Sequence, residues 1–365
     1  MGTWQHKEFE KCLTKVTYTN KIQQFDFKES GKYPIISQNA EFISGYWDND
    51  KDVFKLSKPG VIFGDHTRCL KYIDFDFVLG ADGVKILQTI DEILPKYLYY
   101  YLQYIPIDNL GYSRHYKLLK EKIIKYPTIE QQQKIVEILD KADEIRAKKK
   151  LANDKLDEFL KSTFISMFGN ISNKTTLSQY ITTLSAGKSL AGEEECENKV
   201  LNTSSVTWDR FDKNQYKNYP LDYIPQKEHK VRIGDVIISR MNTPALVGTV
   251  GYVWDVDDNI YLPDRLWKAN ITDKVNPIFL WQLLIQPSTK IEIQKIATGT
   301  SGSMKNISKE KFLKLSVLDV AIEEQNKFAK IVEKVEAKKQ KNELVIEQMN
   351  NLFNSLSQRA FKGEL

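Results

Sequence analysis

Apolar residues recur at alternating spacings of three and four through two stretches of the chain. One stretch opens with IEQQQKIVEIL at residue 129, and the other opens with IEEQNKFAKIV at residue 322, 193 positions later. This spacing is typical of an amphipathic helix whose apolar stripe packs against a partner. The pattern therefore predicts two long helices, at residues 128–170 and 321–365.

The apolar stripe can be followed along both helices, with polar interruptions near the middle at Lys149 in the first and at Lys338 and Asn342 in the second. Helices of this length, about 60 Å at about 1.5 Å per residue, are not stable alone, so we expect the two to pair as an antiparallel coiled coil. The sequence leaves open whether the pair closes within one chain or between two. The predicted seam consists of Ile135, Ile138, Ala142, Ile145, Leu156, Phe159, Phe328, Ile331, Val335, Val345, Met349 and Leu352.

The two helical stretches also share polar residues. Gln132 corresponds to Gln325, and Lys134 corresponds to Lys327, in an ungapped register. Two unrelated amphipathic helices would share apolar spacing but have no reason to share polar positions. We interpret the stretches as homologous copies of one helix.

Outside the helices the chain is rich in Tyr, Trp, Val and Ile. Runs such as VIFGD, GDVIISR and VGTVGYVWDV lie between Gly-containing turns and predict strands of a mainly antiparallel sheet. A fainter repeat pairs KPGVIF with RIGDVII and LPKYLYYYLQ with NPIFLWQLLI. The predicted fold class is α/β in the mixed (α+β) sense, with two homologous domains, residues 1–127 and 171–320, each followed by one long helix in a pseudo-two-fold arrangement.

The amino-acid composition excludes few classes of protein. The chain has 365 residues, 41% of them hydrophobic, a net charge of +5 and three cysteines. These values fit an ordinary globular protein of two or three domains, and they permit nucleic-acid binding without requiring it. The cysteines form no CxxC pair, and no apolar run marks export or membrane insertion, so we expect a cytoplasmic protein. The four scattered histidines predict no metal site.

The order of domain, helix, domain and helix resembles the DNA specificity subunit of type I restriction-modification systems. The resemblance is carried by EQQQKIVEIL and EEQNKFAKIV at the helix starts, by LFNSLSQRAFKGEL, by GYWDNDKDVFKLSKPGVIFGDHTR in the first domain and by ATGTSGSMKNISKEKFLKL in the second. It covers essentially the whole length. The sequence departs from the family pattern at VLDVAIEEQ, which lacks the prolines usual before the second helix.

The resemblance implies a non-catalytic subunit that recognises a bipartite target in double-stranded DNA, one half-site per domain. The helix pair would act as a spacer and as the dock for two methyltransferase (modification) subunits, with two restriction (motor-nuclease) subunits as optional partners. S-adenosylmethionine, ATP and Mg²⁺ would be held by those partners, and no cofactor by this chain. The sequence has no NPPY-like, DPPY-like or GxGxxG stretch, in agreement with this expectation.

Candidate DNA contacts in the first domain lie in two basic stretches, GDHTRCLKY and GYSRHYK. Arginine can pair with guanine O6 and N7, and the mixture of basic and aromatic residues suits phosphate and base-edge contacts. Turns with solvated charges packed on the core would give the same pattern. The candidates are His66, Thr67, Arg68, Lys71, Arg114, His115 and Lys117.

In the second domain the candidates lie in ISRMNT, PDRLWK and TGTSGSMK. Asparagine can read adenine N6 and N7, and a Gly- and Ser-rich loop can hold a phosphate through its backbone amides, although it could equally be a flexible connector. The candidates are Arg240, Asn242, Arg265, Lys268, Ser301, Ser303 and Lys305. The alternative from another class is a coiled-coil scaffold that joins two protein-interaction domains and has no role in DNA binding.

Overall fold

The computed structural model describes residues 4–299 and 304–365. The chain packs as two compact units. Unit 1 consists of Met1–Ala152 together with Asn342–Leu365, and unit 2 consists of Asn153–Lys341. Each unit therefore contains half of each long helix, whereas the sequence predicted the helices as regions separate from the two domains.

Among its described residues, unit 1 contains ten strands, two short α-helices and parts of two long ones. The strands are β1 (Gln5–Glu8), β2 (Lys21–Ile22), β3 (Tyr33–Ile36), β4 (Gly45–Trp47), β5 (Val53–Phe54), β6 (Gly60–Gly64), β7 (Leu70–Ile73), β8 (Phe77–Gly80), β9 (Val84–Leu87) and β10 (Ile123–Tyr126). The helices are α1 (Pro95–Tyr104), α2 (Tyr116–Lys120) and α3 (Ile129–Phe168). The sheets have the orders β7-β6-β9, β2-β8-β3-β4 with β5 also on β8, and β1-β10.

Unit 2 repeats this plan with other strands. They are β11 (Lys174–Thr176), β12 (Ile181–Ser185), β13 (Lys199–Leu201), β14 (Val206–Thr207), β15 (Arg210–Phe211), β16 (Tyr216–Asn218), β17 (Val236–Ser239), β18 (Met241–Asn242), β19 (Val250–Tyr252), β20 (Ile260–Tyr261), β21 (Leu266–Ile271), β22 (Lys305–Asn306) and β23 (Ser316–Leu318). The helices are α4 (Leu177–Tyr180), α5 (Pro277–Leu284), α6 (Pro287–Ile296), α7 (Lys309–Leu313) and α8 (Ile322–Lys362). The sheets have the orders β12-β21-β17-β19, β16-β13-β20, β14-β15, β18-β22 and β11-β23.

Most strand pairs are antiparallel, as the sequence predicted; β8 is parallel to β2 and β3, and β13 is parallel to β20. The central strand of each unit is apolar on both faces. In β6, Val61 packs in the cluster that includes α1, and Ile62 packs in a second cluster with β8. In β17, Val236 packs in the cluster that includes α5, and Ile237 packs in a second cluster on the other face. Burial on both faces explains why both strands appear in the sequence as uninterrupted apolar runs.

The two long helices pair antiparallel inside unit 1. Arg146 Nη1 donates to Asn350 Oδ1 at 3.1 Å, and Lys149 Nζ donates to Asn342 Oδ1 at 3.4 Å. A rising residue number in α3 is thus matched by a falling one in α8. The helices also cover the domain, because Phe353 packs against Tyr100 of α1 with 5.7 Å between ring centroids.

The helices pair antiparallel inside unit 2 as well. Phe164 of α3 contacts Phe328 of α8 edge to face, with centroids 5.5 Å apart. Lys339 of α8 is buried, and its Nζ donates to Asp157 Oδ1 at 2.7 Å and to Glu336 Oε1 at 2.8 Å. A charged layer therefore lies within the contact between the helices in this unit.

The predicted seam is wrong at three positions, because the side chains of Ile145, Phe159 and Leu352 are exposed by 43%, 49% and 44%. The buried or half-buried residue is the next one in each case. Of the two polar interruptions predicted in the second helix, Asn342 is buried, whereas Lys338 is exposed and its neighbour Lys339 is buried instead. A strict seven-residue repeat loses about 20° per heptad against a straight α-helix, so the contact face moves on by one residue. The residues buried at or next to the predicted seam are Ile135, Leu139, Ala142, Leu160, Phe328, Ala329, Val332, Val335 and Phe353, and the seam residues that are half-buried are Ile138, Leu156, Ile331, Val345 and Met349.

A buried glutamine joins each helix start to its own domain. In unit 1, Gln132 accepts from Leu94 N at 2.9 Å and donates to Glu92 O and Pro127 O at 2.8 and 2.9 Å. The bonds to Leu94 and Glu92 fix α3 against the residues before α1, and the bond to Pro127 holds the residues that lead into α3. A fully buried amide must be satisfied by protein groups in this way.

The second copy does the same in unit 2. Gln325 accepts from Asn276 N at 2.9 Å and donates to Lys274 O and Val320 O at 3.1 and 2.8 Å. Both glutamines are inaccessible to solvent. The shared polar position in the two helices therefore marks one internal connection that occurs twice.

Candidate nucleic-acid interface

The first group of predicted residues lies where β6 ends in unit 1. Asp65, the residue after this strand, is buried, and its carbonyl accepts from His115 N at 2.8 Å while its Oδ1 accepts from Tyr116 N at 2.8 Å. These bonds attach the turn that carries Thr67 to the segment before α2. The fold thus brings together the two basic stretches that the sequence singled out.

Several predicted contacts in unit 1 are already bonded within the protein. Lys71 is buried, and its Nζ donates to the carbonyls of Ser37 and Glu41 at 2.9 and 2.5 Å. His115 is fully buried, with its Nδ1 3.0 Å from Asp65 O and its Nε2 accepting from Leu110 N at 3.0 Å. We therefore correct these two predicted DNA contacts, since neither side chain faces solvent.

Two more candidates are partly engaged. Arg68, whose φ is +60°, donates from Nη1 to Ile107 O at 3.0 Å. Thr67 is exposed, and its hydroxyl donates to Gln38 O at 2.5 Å. Arg114 and Lys117, in contrast, are both exposed. The structure thus separates side chains that hold the turns from side chains that are open to solvent.

A cavity of about 360 Å³ opens beside these turns. Its polar and aromatic lining includes Gln38, Asn39, His66, Asp82, Tyr112 and Arg114. We call it the unit 1 pocket. The His66 and Tyr112 rings stack at 5.1 Å with 15° between their planes, although the Tyr112 side chain is 93% exposed.

The sequence reasoning missed Gln38, Asn39 and Asp82. Gln38 Oε1 accepts from His66 N at 3.0 Å, across 28 residues of chain. The segment SQNAE has no basic or aromatic residue, so no local signal marked it. Tyr112 was visible in GYSRHYK, but only as the neighbour of the basic residues.

In unit 2 the second group of candidates meets where β17 ends. Arg240 N donates to Arg265 O at 3.1 Å, and Arg240 O accepts from Ile307 N at 2.9 Å. Asn242 in β18 is the direct partner of Lys305 in β22. Four predicted residues therefore converge. Ser301 and Ser303, the other predicted residues of this loop, lie outside the described part of the chain.

Some of these side chains are also engaged. Arg240 Nε donates to Asp264 O at 2.8 Å, and its guanidinium lies 5.9 Å from the ring centroid of the buried Trp267. Asn242 Nδ2 donates to Ser239 Oγ at 3.2 Å. Arg265 is exposed and Lys305 is half-buried. Arg265 is the most open candidate of this group.

Lys268 is a correction. Its side chain is buried, and Nζ donates to Lys230 O at 2.9 Å and lies 3.6 Å from Asp235 Oδ2. Burial raises the pKa of the Asp235 carboxyl, and the nearby Lys268 partly opposes this shift. Lys268 acts inside the domain, since it is not open to a ligand.

The described ranges 4–299 and 304–365 contain no group of three or more His, Cys, Asp or Glu side chains placed to hold a metal ion. In the same ranges, no helix combines the length and the apolar character that a membrane crossing would require.

The structure thus defines a class of protein in which two similar domains share a pair of long helices. Each domain carries a group of polar residues at the end of one buried strand, β6 in unit 1 and β17 in unit 2. Residues 3–156 match the family model of the type I restriction modification DNA specificity domain. The first part of the chain is thus similar to the DNA specificity domain of type I restriction-modification systems.

Two curated relatives come from Escherichia coli. The EcoR124I/EcoR124II specificity subunit is 31% identical over 88 residues, which are 23% of this chain and 22% of that subunit. The EcoKI specificity subunit of strain K12 is 28% identical over 173 residues, which are 46% of this chain and 37% of that subunit. The alignments thus span less than half of the length of either relative.

A similar fold is seen in the crystal structure of the type I restriction-modification S subunit from M. genitalium. The TM-score is 0.55, with 99% of this chain and 96% of that chain covered at 16% sequence identity. At this identity the likeness concerns the fold.

Proposed function

We propose that this chain is the sequence-recognition subunit of a type I restriction-modification complex and that each unit recognises one half of a split target in double-stranded DNA. The observation that carries the proposal is the repeated strand-end arrangement. In unit 1 the carbonyl of Asp65 accepts from His115 N, one residue before α2, and in unit 2 the carbonyl of Arg240 accepts from Ile307 N, two residues before α7. The backbone hydrogen bond recurs in both units, whereas the side chain at the strand end differs between them.

We assign the second half-site to unit 2 because unit 2 repeats structural features of unit 1. The family model ends at residue 156. The glutamine connection, the strand pair next to each long helix and the strand-end bond all recur beyond that residue. We therefore interpret unit 2 as an internal copy of the recognition domain, which would recognise the second half-site.

The chain itself is proposed to be non-catalytic. Two methyltransferase subunits would dock on the helices and supply S-adenosylmethionine chemistry, and two restriction subunits would supply ATP- and Mg²⁺-dependent steps where they are present. The EcoR124I/EcoR124II and EcoKI relatives are named specificity subunits of restriction enzymes, which supports a role in recognition and not in the reaction.

The helices are proposed to set the unread spacer between the half-sites. With 40 and 41 residues they are each about 60 Å long. That length corresponds to at most about 18 base pairs at about 3.4 Å per pair, and domains that overlap the helix ends would shorten the spacer further.

The test of DNA recognition is selection from randomised duplexes by the purified full-length chain, with and without its methyltransferase subunits, at several salt concentrations. We expect enrichment of two short motifs at a fixed separation, and binding that weakens as salt increases because Lys and Arg contacts release counterions from the phosphates. A coiled-coil scaffold would give neither enrichment nor salt dependence.

Spacer length is tested by matched insertions in the two helices. Eleven residues are three nearly whole turns of a straight helix and keep the observed contact face better than seven. Inserting eleven after Lys150 and eleven after Lys338 should widen the separation of the two motifs by about five base pairs, at about 1.5 Å per residue and 3.4 Å per pair. The control carries one insertion only, which breaks the pairing. An unchanged separation in the double insertion contradicts the spacer role.

A further inference from the structure

We propose that the unit 1 pocket recognises base edges, with Asn39 and Arg114 as specificity-determining residues and Lys71 as the buried residue that positions Asn39. This inference rests on the proposed DNA-recognition function and adds to it the residues and the chemistry of one half-site.

The pocket presents polar groups that the fold does not use. Among the described residues, the structure gives the side chains of Asn39 and Arg114 no hydrogen-bond partner. Within the same described ranges, His66 Nδ1 has no partner although it is buried. A buried polar atom without a partner costs on the order of 1–3 kcal/mol, so a lining of this kind favours a ligand that supplies the missing bonds.

The free groups match the edges of bases. Arginine pairs with O6 and N7 of guanine, asparagine pairs with N6 and N7 of adenine, and a carboxylate such as Asp82 accepts from N4 of cytosine. All three lie in one lining. Neighbouring candidates such as Lys71 and His115 are bonded within the protein and cannot do this.

The aromatic pair adds a surface for a flat ligand. Tyr112 stacks on His66 and leaves most of its own side chain in solvent. An exposed tyrosine ring supplies contact area with little conformational freedom to lose, and its other face is open to a base or sugar. Arg114, two residues further along the chain, is exposed and lies in the same lining.

The lining favours bases over phosphates. Arg114 is the only lysine or arginine among the residues that line this pocket, and Asp82, an exposed carboxylate, lies in the same lining. A phosphate site would need an excess of cations or backbone amides, and an exposed carboxylate would repel the phosphate. Lys117 lies outside the lining and is exposed, which suits a backbone contact.

The buried Lys71 holds the segment of the pocket that carries Asn39. Its Nζ donates to Ser37 O and Glu41 O, and Phe42 O lies at 3.5 Å, so one buried cation holds both ends of the segment that carries Asn39. Burial lowers the pKa of Lys71. Thr67 provides a second attachment through Gln38 O.

The experiment is selection from randomised duplexes by the full-length chain with its methyltransferase subunits, repeated for each variant. Asn39→Ala and Arg114→Ala should each lose roughly tenfold discrimination or more at one or two positions of a single half-site, because one good base contact is removed. The other half-site should be unchanged. Lys117→Ala is the matched control for Arg114→Ala and should weaken binding to all sequences alike.

The positioning role is tested with Lys71→Met, and with Thr67→Val in case the first variant does not fold. Either should relax the same positions as Asn39→Ala, because Lys71 and the Thr67 hydroxyl both hold the segment that carries Asn39. A variant that lowers the melting temperature but leaves the selected motif intact contradicts positioning, because it shows a purely structural role.

The outcomes separate the two proposals. If the parent chain selects two motifs and the Asn39 and Arg114 variants select the same motifs with the same stringency, the pocket inference is overturned and recognition stands. If these variants disturb both half-sites equally, the inference is also overturned. If the parent chain selects no split motif, the proposed function itself fails.

Discussion

Units 1 and 2 are alike where they are closed to solvent and different where they are open. Gln132 and Gln325 make the same three bonds to equivalent backbone groups, in the same order. At the strand end the equivalent residues are Asp65, which is buried, and Arg240, which is half-exposed. The comparison shows that the duplicated scaffold is fixed by internal hydrogen bonds, whereas the side chains placed at the strand end are free to change.

The largest expected effect comes from replacing the shared glutamines. Gln132→Leu and Gln325→Leu each leave one backbone N–H and two carbonyls without this partner, and the carbonyl bond next to the long helix is fully buried in both units. We expect each variant to lower the free energy of unfolding by about 3 kcal/mol. Urea denaturation of the full chain measures this. Gln133→Leu and Gln348→Leu, at exposed helix positions, are the controls. If only one of the two glutamine variants loses stability, the two connections are not equivalent.

A smaller effect should distinguish the polar layers of the two helix halves. Lys339→Ala in unit 2 leaves Glu336 and Asp157 without their buried cation, and we expect about 2 kcal/mol of destabilisation, reduced by the partial exposure of Asp157. Lys149→Ala in unit 1 removes one long hydrogen bond of a half-buried side chain and should cost less than about 1 kcal/mol. Equal losses in thermal unfolding would mean that burial does not separate the two layers.

The smallest effect concerns the exposed cations beside each strand end. Lys117→Ala in unit 1 and Arg265→Ala in unit 2 test whether both units contact the DNA backbone. If each side chain contacts one phosphate, each variant should reduce the slope of log affinity against log salt by about 1. Fluorescence anisotropy with a fixed duplex gives the slope. If Arg265→Ala instead changes preference at one base position, Arg265 is a base contact and the units differ in more than side-chain identity.

The sequence predicted the helices well because their signal is local. Ile129–Phe168 and Ile322–Lys362 follow from spacing alone. The seam prediction was wrong at Ile145, Phe159 and Leu352 because a seven-residue template and a helix with 3.6 residues per turn diverge with distance. The seam positions near the helix starts were right, and all three wrong positions lie further along the helices.

The candidate site was only partly predictable for a different reason. Whether a basic side chain is free depends on groups that are remote in the chain: Lys71 is held by Ser37, 34 residues earlier, and His115 by Asp65, 50 residues earlier. Composition cannot distinguish such a lysine from Lys117, which is open to solvent. Asn39 carried no signal at all, because it becomes notable only when the pocket forms around it.

The division of the helices between the units has a consequence for the order in which the protein forms. Unit 2 is one continuous segment, Asn153–Lys341, whereas unit 1 also needs Asn342–Leu365, which follow unit 2 in the chain. During synthesis the ribosome releases the first domain before the residues that cover it, and Tyr97 and Tyr100 must wait for Phe361 and Phe353. The domain that emerges first is therefore completed last, and until then the aromatic face of α1 lacks the residues that cover it.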